Sequence, residues 1–255
     1  MKNYKKNLMA QLVLGYPSVE NNWQVVEAMA KAQVKYIELQ IPFSDPIADG
    51  PVIVKANQIS LENGTKVSDC FKFAKKVVDS YPEIKFLFMS YYNILFSYGV
   101  AKFIEKAAEM DLYGLIVPDL PLEEDQEHFY KTSNEYGLKP IAVVSPTISQ
   151  ERLKLIKNVS QGFIYATSKV GITGSSKRQN NSFKNFIVNL KKNINLPVAI
   201  GFGIDSVEKA KEISKLSDII VIGSKIIKLV DLYPQEYKSK IYYFLSKILA
   251  NINKN

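Results

Sequence analysis

The chain has 255 residues, of which 47% are hydrophobic and 23% charged, a composition that can bury one sizeable core and suits a single α/β domain. Its formal net charge is +8, but almost all of the excess is scattered lysine without a stacked-aromatic motif, so we expect no nucleic-acid partner. The single cysteine and single histidine argue against a disulfide framework and against a metal site.

The N-terminal sequence MKNYKKNLMAQLVLG superficially imitates a signal peptide, because lysines precede a short apolar run. This run contains Gln11, and no small-x-small cleavage site follows it. A short N-terminal segment over residues 1–8 that leads into a first β-strand is therefore the better interpretation. No apolar stretch approaches the roughly 20 residues that a membrane span requires. We expect a cytoplasmic protein without a membrane segment.

Eight apolar runs of β-strand character alternate with segments of helical spacing along the chain. The runs cover residues 9–14, 35–41, 84–91, 114–118, 140–144, 162–166, 197–201 and 219–223. They are apolar throughout, which is typical of parallel strands that are covered on both faces. The count predicts a (β/α)8 TIM barrel, formed as one domain by residues 1–255, with an extra C-terminal helix over residues 235–251. The structural alternative, a doubly wound sheet, seldom uses eight such regular units.

Two of the intervening helices carry clear signals at their ends. Pro121, followed by acidic residues at 123–125, predicts the first turn of the fourth helix, and Gly137 predicts its end. Ser206 is a candidate N-cap of the seventh helix. His128 falls in the fourth helix, far from any strand end, so catalysis by a serine–histidine or cysteine–histidine pair has no credible histidine.

The segment YIELQIPFSDPIADGP, residues 36–51, is the most informative part of the sequence. Glu38 stands in an apolar strand, where a carboxylate is costly to bury unless it is paired or has chemistry to perform. The loop after it holds Asp45 and Asp49 among three prolines, and such a stiff loop can aim an acid–base pair at a small substrate. The alternative is that both aspartates are turn residues and that Glu38 pairs with a lysine.

Small residues follow the seventh and eighth predicted strands, where TIM barrels often bind phosphate. The sequence GFG occupies residues 201–203, and Gly223 and Ser224 open the next helix. Backbone N–H groups can approach an anion there, so phosphate binding is favoured over ordinary tight turns. After the sixth strand, residues 165–178 form a long polar segment that we predict to be a mobile lid, with a surface insertion as the alternative.

At these positions the sequence resembles the tryptophan synthase alpha subunit family. The matching segments run in order from about residue 12 to residue 229: IELQIPFSDPIADGP, SYYNILF (residues 90–96), GLIVPDLP (residues 114–121), GITG, GFGI and the GS pair. The resemblance implies retro-aldol cleavage of indole-3-glycerol phosphate to indole and glyceraldehyde 3-phosphate. It also implies an α2β2 complex, in which a pyridoxal-phosphate β subunit receives the indole and the alpha chain itself carries no cofactor.

The resemblance also implies roles for individual residues. Glu38 is the expected general acid and base, which protonates indole C3 and removes the glycerol hydroxyl proton. Asp49 is expected to accept a hydrogen bond from the indole N–H and to stabilise positive charge on the ring. The other expected substrate contacts are Tyr165 and Phe202 beside the substrate, Thr173 as the residue that organises Asp49, and Gly174, Gly203, Gly223 and Ser224 at the phosphate.

Gln40 departs from the family pattern, which usually has glycine at this position. Strand alternation places its side chain on the same side as Glu38, where the amide either crowds the barrel mouth or donates a hydrogen bond to the Glu38 carboxylate. A donated hydrogen bond favours the charged carboxylate. We therefore expect it to lower the pKa of Glu38 and to make the isolated chain a slow enzyme.

Two other functions stay open on the sequence alone. One is an alpha-like partner with weak or no catalysis that mainly activates a β subunit. The other is a different phosphate-binding barrel, such as a sugar-phosphate isomerase or a prenyl transferase, although the P-F-S-D-P-x-A-D-G-P string argues against it. An indole-release assay with and without a β subunit discriminates between these functions.

Overall fold

The computed structural model describes residues 6–167, 177–201 and 203–253 of the chain. Within these residues nine strand segments form one sheet: β1 (Asn7–Val13), β2 (Tyr36–Gln40), β3 (Lys85–Met89), β4 (Gly114–Ile116), β5 (Lys139–Ile141), β6 (Val143–Val144), β7 (Ile164–Ala166), β8 (Val198–Ile200) and β9 (Ile219–Ile222). The α-helices of the same residues are α1 (Val19–Lys31), α2 (Pro51–Glu62), α3 (Val67–Ser80), α4 (Tyr92–Tyr98), α5 (Val100–Glu109), α6 (Phe129–Glu135), α7 (Gln150–Val159), α8 (Lys177–Asn193), α9 (Val207–Ser214), α10 (Ser224–Leu232) and α11 (Tyr237–Ile252). None of these helices is long and apolar enough to cross a bilayer.

The strands close into a barrel. Neighbouring strands pair in parallel in the order β5-β4-β3-β2-β1-β9-β8-β7-β6. The two ends of this order, β5 and β6, are separated only by Ala142, whose carbonyl oxygen accepts a hydrogen bond from the Tyr165 N–H of β7 (2.9 Å). They are therefore two pieces of the single fifth strand predicted over residues 140–144. The predicted eight-stranded TIM barrel is confirmed, with its fifth strand divided.

Side chains alternate between the barrel interior and the layer between strands and helices. In β2, Ile37 and Leu39 pack in the helix-facing core, whereas Tyr36 belongs to the interior cluster. Glu38 and Gln40 share the parity of Tyr36, so both point into the barrel, as strand alternation predicts. The other buried members of the interior cluster are Met9, Leu87, Met89, Tyr91, Ile116, Ile141, Phe163, Ala199, Ile219 and Val221.

One buried carboxylate ties together the N-terminal end of the barrel. Asp218, which precedes β9, accepts a hydrogen bond from the Val198 N–H of β8 (2.9 Å) and forms ion pairs with Lys191 of α8 (2.8 Å) and with Lys6 (3.8 Å). Its carbonyl oxygen accepts a hydrogen bond from the Asn7 N–H at the start of β1 (3.0 Å). Asp218 therefore joins three neighbouring strands at the end of the barrel opposite to the strand C-termini.

The fourth predicted helix begins later than the sequence indicates. Residues Leu122–Glu124 form a separate 3-10 turn, and α6 starts at Phe129. The Asp125 carboxylate accepts hydrogen bonds from the backbone N–H groups of Phe129 (2.6 Å) and Tyr130 (3.1 Å). The prediction that a helix starts at Pro121 is wrong, because Asp125 lies before α6 and accepts hydrogen bonds from its first two N–H groups instead of belonging to its first turn.

The other predicted helix ends are confirmed. Ser206 is the N-cap of α9, and its hydroxyl oxygen accepts a hydrogen bond from the Lys209 N–H (3.2 Å). Gly137 follows α6 at φ +79°, a left-handed conformation that suits glycine at the end of a helix. The extra C-terminal helix spans Tyr237–Ile252, close to the predicted range.

Candidate active site

Glu38 lies in the middle of β2 with its side chain inside the barrel. The residue is only 2% exposed and is in register with Gln11 of β1 and Leu87 of β3. Among the described residues, its Oε2 atom has no hydrogen-bond partner. A buried carboxyl oxygen without a partner is free to exchange a proton with a bound ligand.

Burial raises the pKa of Glu38 to about 8, and the nearby charge of Asp49 acts in the same direction. Neither influence comes from a lysine, which argues against the alternative in which Glu38 is one half of an ion pair. A carboxyl group with this pKa holds its proton at neutral pH, as a general acid must before it protonates a carbon atom.

Asp49 occupies the loop between β2 and α2 and is partly buried. Its Oδ2 atom accepts hydrogen bonds from Gln40 Nε2 (2.6 Å) and from the Tyr91 hydroxyl (3.0 Å). Burial has the largest effect and raises the pKa of Asp49 above its ordinary value, and the two hydrogen bonds oppose this rise. Because the Oε2 atom of Glu38 lacks such a donor, the surroundings separate the two acids. Two hydrogen bonds favour the charged form of Asp49, and none of comparable strength favours the charged form of Glu38.

Tyr91, just beyond β3, anchors the loop that carries Asp49. Besides donating to Asp49, its hydroxyl accepts a hydrogen bond from the Ala48 N–H (3.1 Å), and its ring stacks on Phe43 with the centroids 5.1 Å apart. The Phe43 N–H donates in turn to Asn57 Oδ1 of α2 (3.0 Å). Tyr91 is a site residue that was not predicted, although its position at a strand end, with a side chain facing the barrel interior, was an available signal.

Asp45, the other acid of the loop, has a different role. Its side chain is exposed and accepts a hydrogen bond from Ser44 Oγ (2.5 Å), while its carbonyl oxygen accepts one from the Ile47 N–H (2.8 Å). These are the local bonds of a turn. The turn interpretation is therefore confirmed for Asp45, whereas the side chain of Asp49 is bonded to residues of the barrel.

Gln40 forms its hydrogen bond with Asp49 and not, as was expected, with Glu38. Its Nε2 donates to Asp49, and its Oε1 accepts a hydrogen bond from Gln11 Nε2 (2.7 Å). The prediction that Gln40 donates to Glu38 and lowers its pKa is wrong, since the pKa of Glu38 is raised. The physical reason is that Gln11, on the neighbouring strand, takes the carbonyl end of the amide and leaves its NH2 group facing the loop.

Tyr165 lies in β7 with a partly buried side chain. Burial raises the pKa of its hydroxyl, and the charges of Glu38 and Asp49 raise it further, so the phenol lies near both acids. Gly201, just after β8, leaves space for this ring. A Cβ atom added at Gly201 would lie 3.1 Å from the Tyr165 hydroxyl and 2.6 Å from Val221 Cβ.

The predicted phosphate residues follow the C-terminal ends of β8 and β9, which are neighbouring strands. Gly203 adopts φ +49°, and Gly223 is the N-cap of α10. Ser224 is the first residue of α10, so backbone N–H groups of this turn have no partner within the helix. This geometry is the one with which a helix N-terminus binds phosphate.

Part of the predicted site, namely Thr173, Gly174, Phe202 and most of the predicted lid, lies outside the described residues. His128 is exposed and is the N-cap of α6, not a residue within the helix. Within residues 6–167, 177–201 and 203–253, no three histidine, cysteine or acidic side chains are grouped so that they could hold a metal ion.

The chain is similar to known proteins over nearly its whole length. Residues 1–251 match the family model described as tryptophan synthase alpha chain. The tryptophan synthase alpha chain of Desulfotalea psychrophila is 46% identical over 224 residues, which cover 88% of this chain and 87% of the relative. That of Dehalococcoides mccartyi is 38% identical, with 98% and 96% covered. A crystal structure of tryptophan synthase from M. tuberculosis matches with a TM-score of 0.87 at 26% identity, covering 99% of this chain and 94% of that one.

These matches include the strand ends and loops that carry the acid pair as well as the barrel that supports them. An unrelated phosphate-binding barrel does not account for a match of this extent. The chain belongs to the tryptophan synthase alpha chain family, a family of lyases in tryptophan biosynthesis.

Proposed function

We propose that Glu38 and Asp49 of this chain carry out the cleavage of indole-3-glycerol phosphate to indole and glyceraldehyde 3-phosphate. The observation that carries the proposal is the contrast between the two acids. Glu38 is buried and holds its proton, with a pKa of about 8, while Asp49 accepts two hydrogen bonds that favour its charged form. Both groups belong to the same end of the barrel, where active sites of this fold lie.

The reaction needs a proton at a carbon atom before the carbon–carbon bond can break. Glu38 donates its proton to C3 of the indole ring, and positive charge then develops at the ring nitrogen. Asp49 accepts a hydrogen bond from the ring N–H and stabilises this charge, which is strongest in the transition state. The protonated ring is then ready to leave as neutral indole.

The second step returns the proton to Glu38. Its carboxylate removes the proton of the glycerol hydroxyl next to the ring, and that oxygen forms the aldehyde carbonyl of glyceraldehyde 3-phosphate. The carbon–carbon bond breaks, and its electron pair moves into the ring and neutralises the nitrogen. One carboxyl group therefore acts as acid and then as base, and it ends the cycle protonated as it began.

Phosphate binding is assigned to backbone N–H groups at Gly203, Gly223 and Ser224, with Gly174 as a further contact. The assignment is supported by the position of Gly203 beyond the end of β8 and by that of Gly223 and Ser224 beyond β9, at the start of α10. The net charge of +8 then favours the approach of an anionic substrate without itself holding the phosphate.

The indole ring is assigned to the space beside Tyr165, with Phe202 on its other side. The proximity of Tyr165 to Glu38 and Asp49 supports its placement. Thr173 is assigned the organisation of Asp49 when the lid covers the substrate. Such a lid keeps water away from a charged ring intermediate.

We also propose where the chain works and with which partner. The chain works in the cytoplasm as the alpha part of an α2β2 complex and passes indole to a β subunit that carries pyridoxal phosphate. It needs no cofactor of its own, because Glu38 and Asp49 supply both the proton transfer and the charge stabilisation. The alternative of an inactive partner is not favoured, because both acids are in place in surroundings that suit these roles.

The test is indole release, followed spectrophotometrically, when purified chain receives indole-3-glycerol phosphate with and without a β subunit. The wild type is expected to release indole in both mixtures. Glu38→Gln preserves shape but cannot exchange a proton, so it is expected to lose about 10²–10⁴-fold in rate while still binding glycerol phosphate. A wild-type chain that releases no indole in either mixture contradicts the proposal. A variant that keeps more than about a tenth of the rate removes Glu38 from it.

A further inference from the structure

Two glutamines connect the interior of the barrel to Asp49 by a continuous series of hydrogen bonds. Gln11 Nε2 donates to Gln40 Oε1 (2.7 Å), and Gln40 Nε2 donates to Asp49 Oδ2 (2.6 Å). Both glutamines are buried, with 6% and 0% of their surface exposed. The second bond joins an amide to a carboxylate, so it is stronger than a bond between neutral groups.

The order of the bonds fixes which way each amide points. An amide can present either oxygen or NH2 to a neighbour. Because the oxygen of Gln40 is taken by Gln11, its NH2 group must face the loop. An oxygen turned towards the Asp49 carboxylate would repel it. Gln11 therefore determines that Gln40 acts as a donor to Asp49.

Gln11 is itself confined from the other side. It lies in β1, which pairs with both β2 and β9. A Cβ atom added at Gly223 would collide with Gln11 Oε1 and lie 3.0 Å from its Cδ. The absence of a side chain at Gly223 thus provides the space in which the Gln11 amide can point towards Gln40.

The bonds to Asp49 also leave one of its oxygens for the substrate. Gln40 and the Tyr91 hydroxyl both bond Oδ2, and they approach it from β2 and from the end of β3. A carboxylate held at one oxygen from two directions has little rotational freedom. The other oxygen, Oδ1, is then presented in a fixed direction to an N–H donor.

We propose that Gln40 is a positioning residue that orients Asp49 for the ring N–H, and that Gln11 orients Gln40. This inference rests on the proposed function of Asp49. It gives the glutamine pair a positioning role in the reaction instead of a packing role in the barrel interior. It also means that Asp49 is held in place by residues of the barrel itself, before any contact with Thr173.

The test uses methionine, which has nearly the length and shape of glutamine but neither donates nor accepts strongly. In Gln40→Met, kcat for indole release is expected to fall about tenfold with little change in KM, because the lost bond serves the reaction and not the phosphate. The acidic limb of the pH–rate profile is expected to move to higher pH, since Asp49 loses a donor that favours its charge.

Gln11→Met is expected to change kcat and the acidic limb in the same direction but less. The double variant should be no worse than Gln40→Met alone, because the two residues act in series. Gln58→Met is the matched control: Gln58 is exposed on α2 and bonds only Glu62 among the described residues (2.9 Å), so neither kcat nor the pH profile should change.

Several results would overturn the inference. Unchanged kcat and acidic limb in Gln40→Met make the glutamine a packing residue, and fully additive losses in the double variant show that the two glutamines act independently. Circular dichroism checks folding, and if Gln40→Met does not fold, the acidic limb of Gln11→Met decides. An inactive wild type removes the proposed function and this inference with it, whereas an active wild type with unaffected variants removes only the inference.

Discussion

Glu38 and Asp49 are the same chemical group in two different surroundings. Glu38 has an unpartnered oxygen inside the barrel, and Asp49 has two donors on one oxygen. Removal from water favours the neutral form of both acids, and only Asp49 receives hydrogen bonds that offset this effect. The division of labour between acid and charge stabiliser therefore follows from where donors lie, not from the acids themselves.

The raised pKa of Glu38 predicts a loss of activity at alkaline pH. The first step requires the protonated carboxyl, so kcat/KM for indole release should fall as pH rises through about 8. Protonation of Asp49 produces the acidic limb. A pH–rate profile of the wild type with saturating and limiting substrate checks this. A rate that stays constant from neutral pH to about pH 10 would show that Glu38 does not act as the acid.

The same raised pKa predicts that Glu38 lowers the free energy of unfolding at pH values above 4.5. In the unfolded chain its pKa returns to 4.5, so between pH 4.5 and about 8 the folded protein holds a proton that the unfolded chain has lost. The free energy of unfolding therefore falls as pH rises through this window. Glu38→Gln should be more stable than the wild type at pH 8 by on the order of 4 kcal/mol, and by much less at pH 5. Urea unfolding at both pH values measures the difference, and an equal difference at both contradicts the prediction.

At the scale of elements, the loop between β2 and α2 owes its conformation to one phenol. Tyr91→Phe keeps the ring stacked on Phe43 but removes the hydroxyl that joins Ala48 and Asp49. We expect kcat to fall about tenfold, because Asp49 loses one of its two hydrogen-bond donors. We also expect the Ala48 amide to exchange its hydrogen faster, because it loses its acceptor. Tyr98→Phe, on α4, is the control and should change neither quantity. Unaltered exchange at Ala48 would mean that the prolines alone fix the loop.

The elements themselves were largely predictable, and the contacts between them were not. Strands buried on both faces leave continuous apolar runs, so all eight could be found from sequence. The break at Ala142 has no local signal, because Pro140–Val144 is as apolar as an unbroken strand. The start of α6 was misplaced because an acidic residue can lie either before a helix or inside its first turn, and the sequence is the same in both cases. The hydrogen bonds that Asp125 accepts from Phe129 and Tyr130 place it before α6. The bond between Gln40 and Asp49 could not be predicted, because the orientation of the Gln40 amide depends on Gln11, which lies 29 residues away along the chain.

For the whole molecule, we predict that the ion pairs of Asp218 with Lys191 and Lys6 contribute to stability and not to activity. Asp218→Asn keeps the size of the side chain but leaves Lys191 and Lys6 without their negative partner. Because both lysines are partly exposed, the loss should be moderate, about 2 kcal/mol in the free energy of unfolding. The kcat should stay unchanged, because these ion pairs lie at the end of the barrel away from the acids. Asp79→Asn, which breaks the exposed pair with Lys75, should cost much less. A large fall in kcat for Asp218→Asn would contradict this prediction.

The pairing of β1 with β9 also sets the order of events during synthesis. The first strand emerges from the ribosome more than 200 residues before its partner, since Asn7 is in register with Ile219. Until then one edge of β1 has no neighbour, and Gln11 has no Gly223 beside it. A nascent chain is consequently inactive until β9, the last described strand, has been made, because the barrel around the glutamine pair and the two acids closes only then.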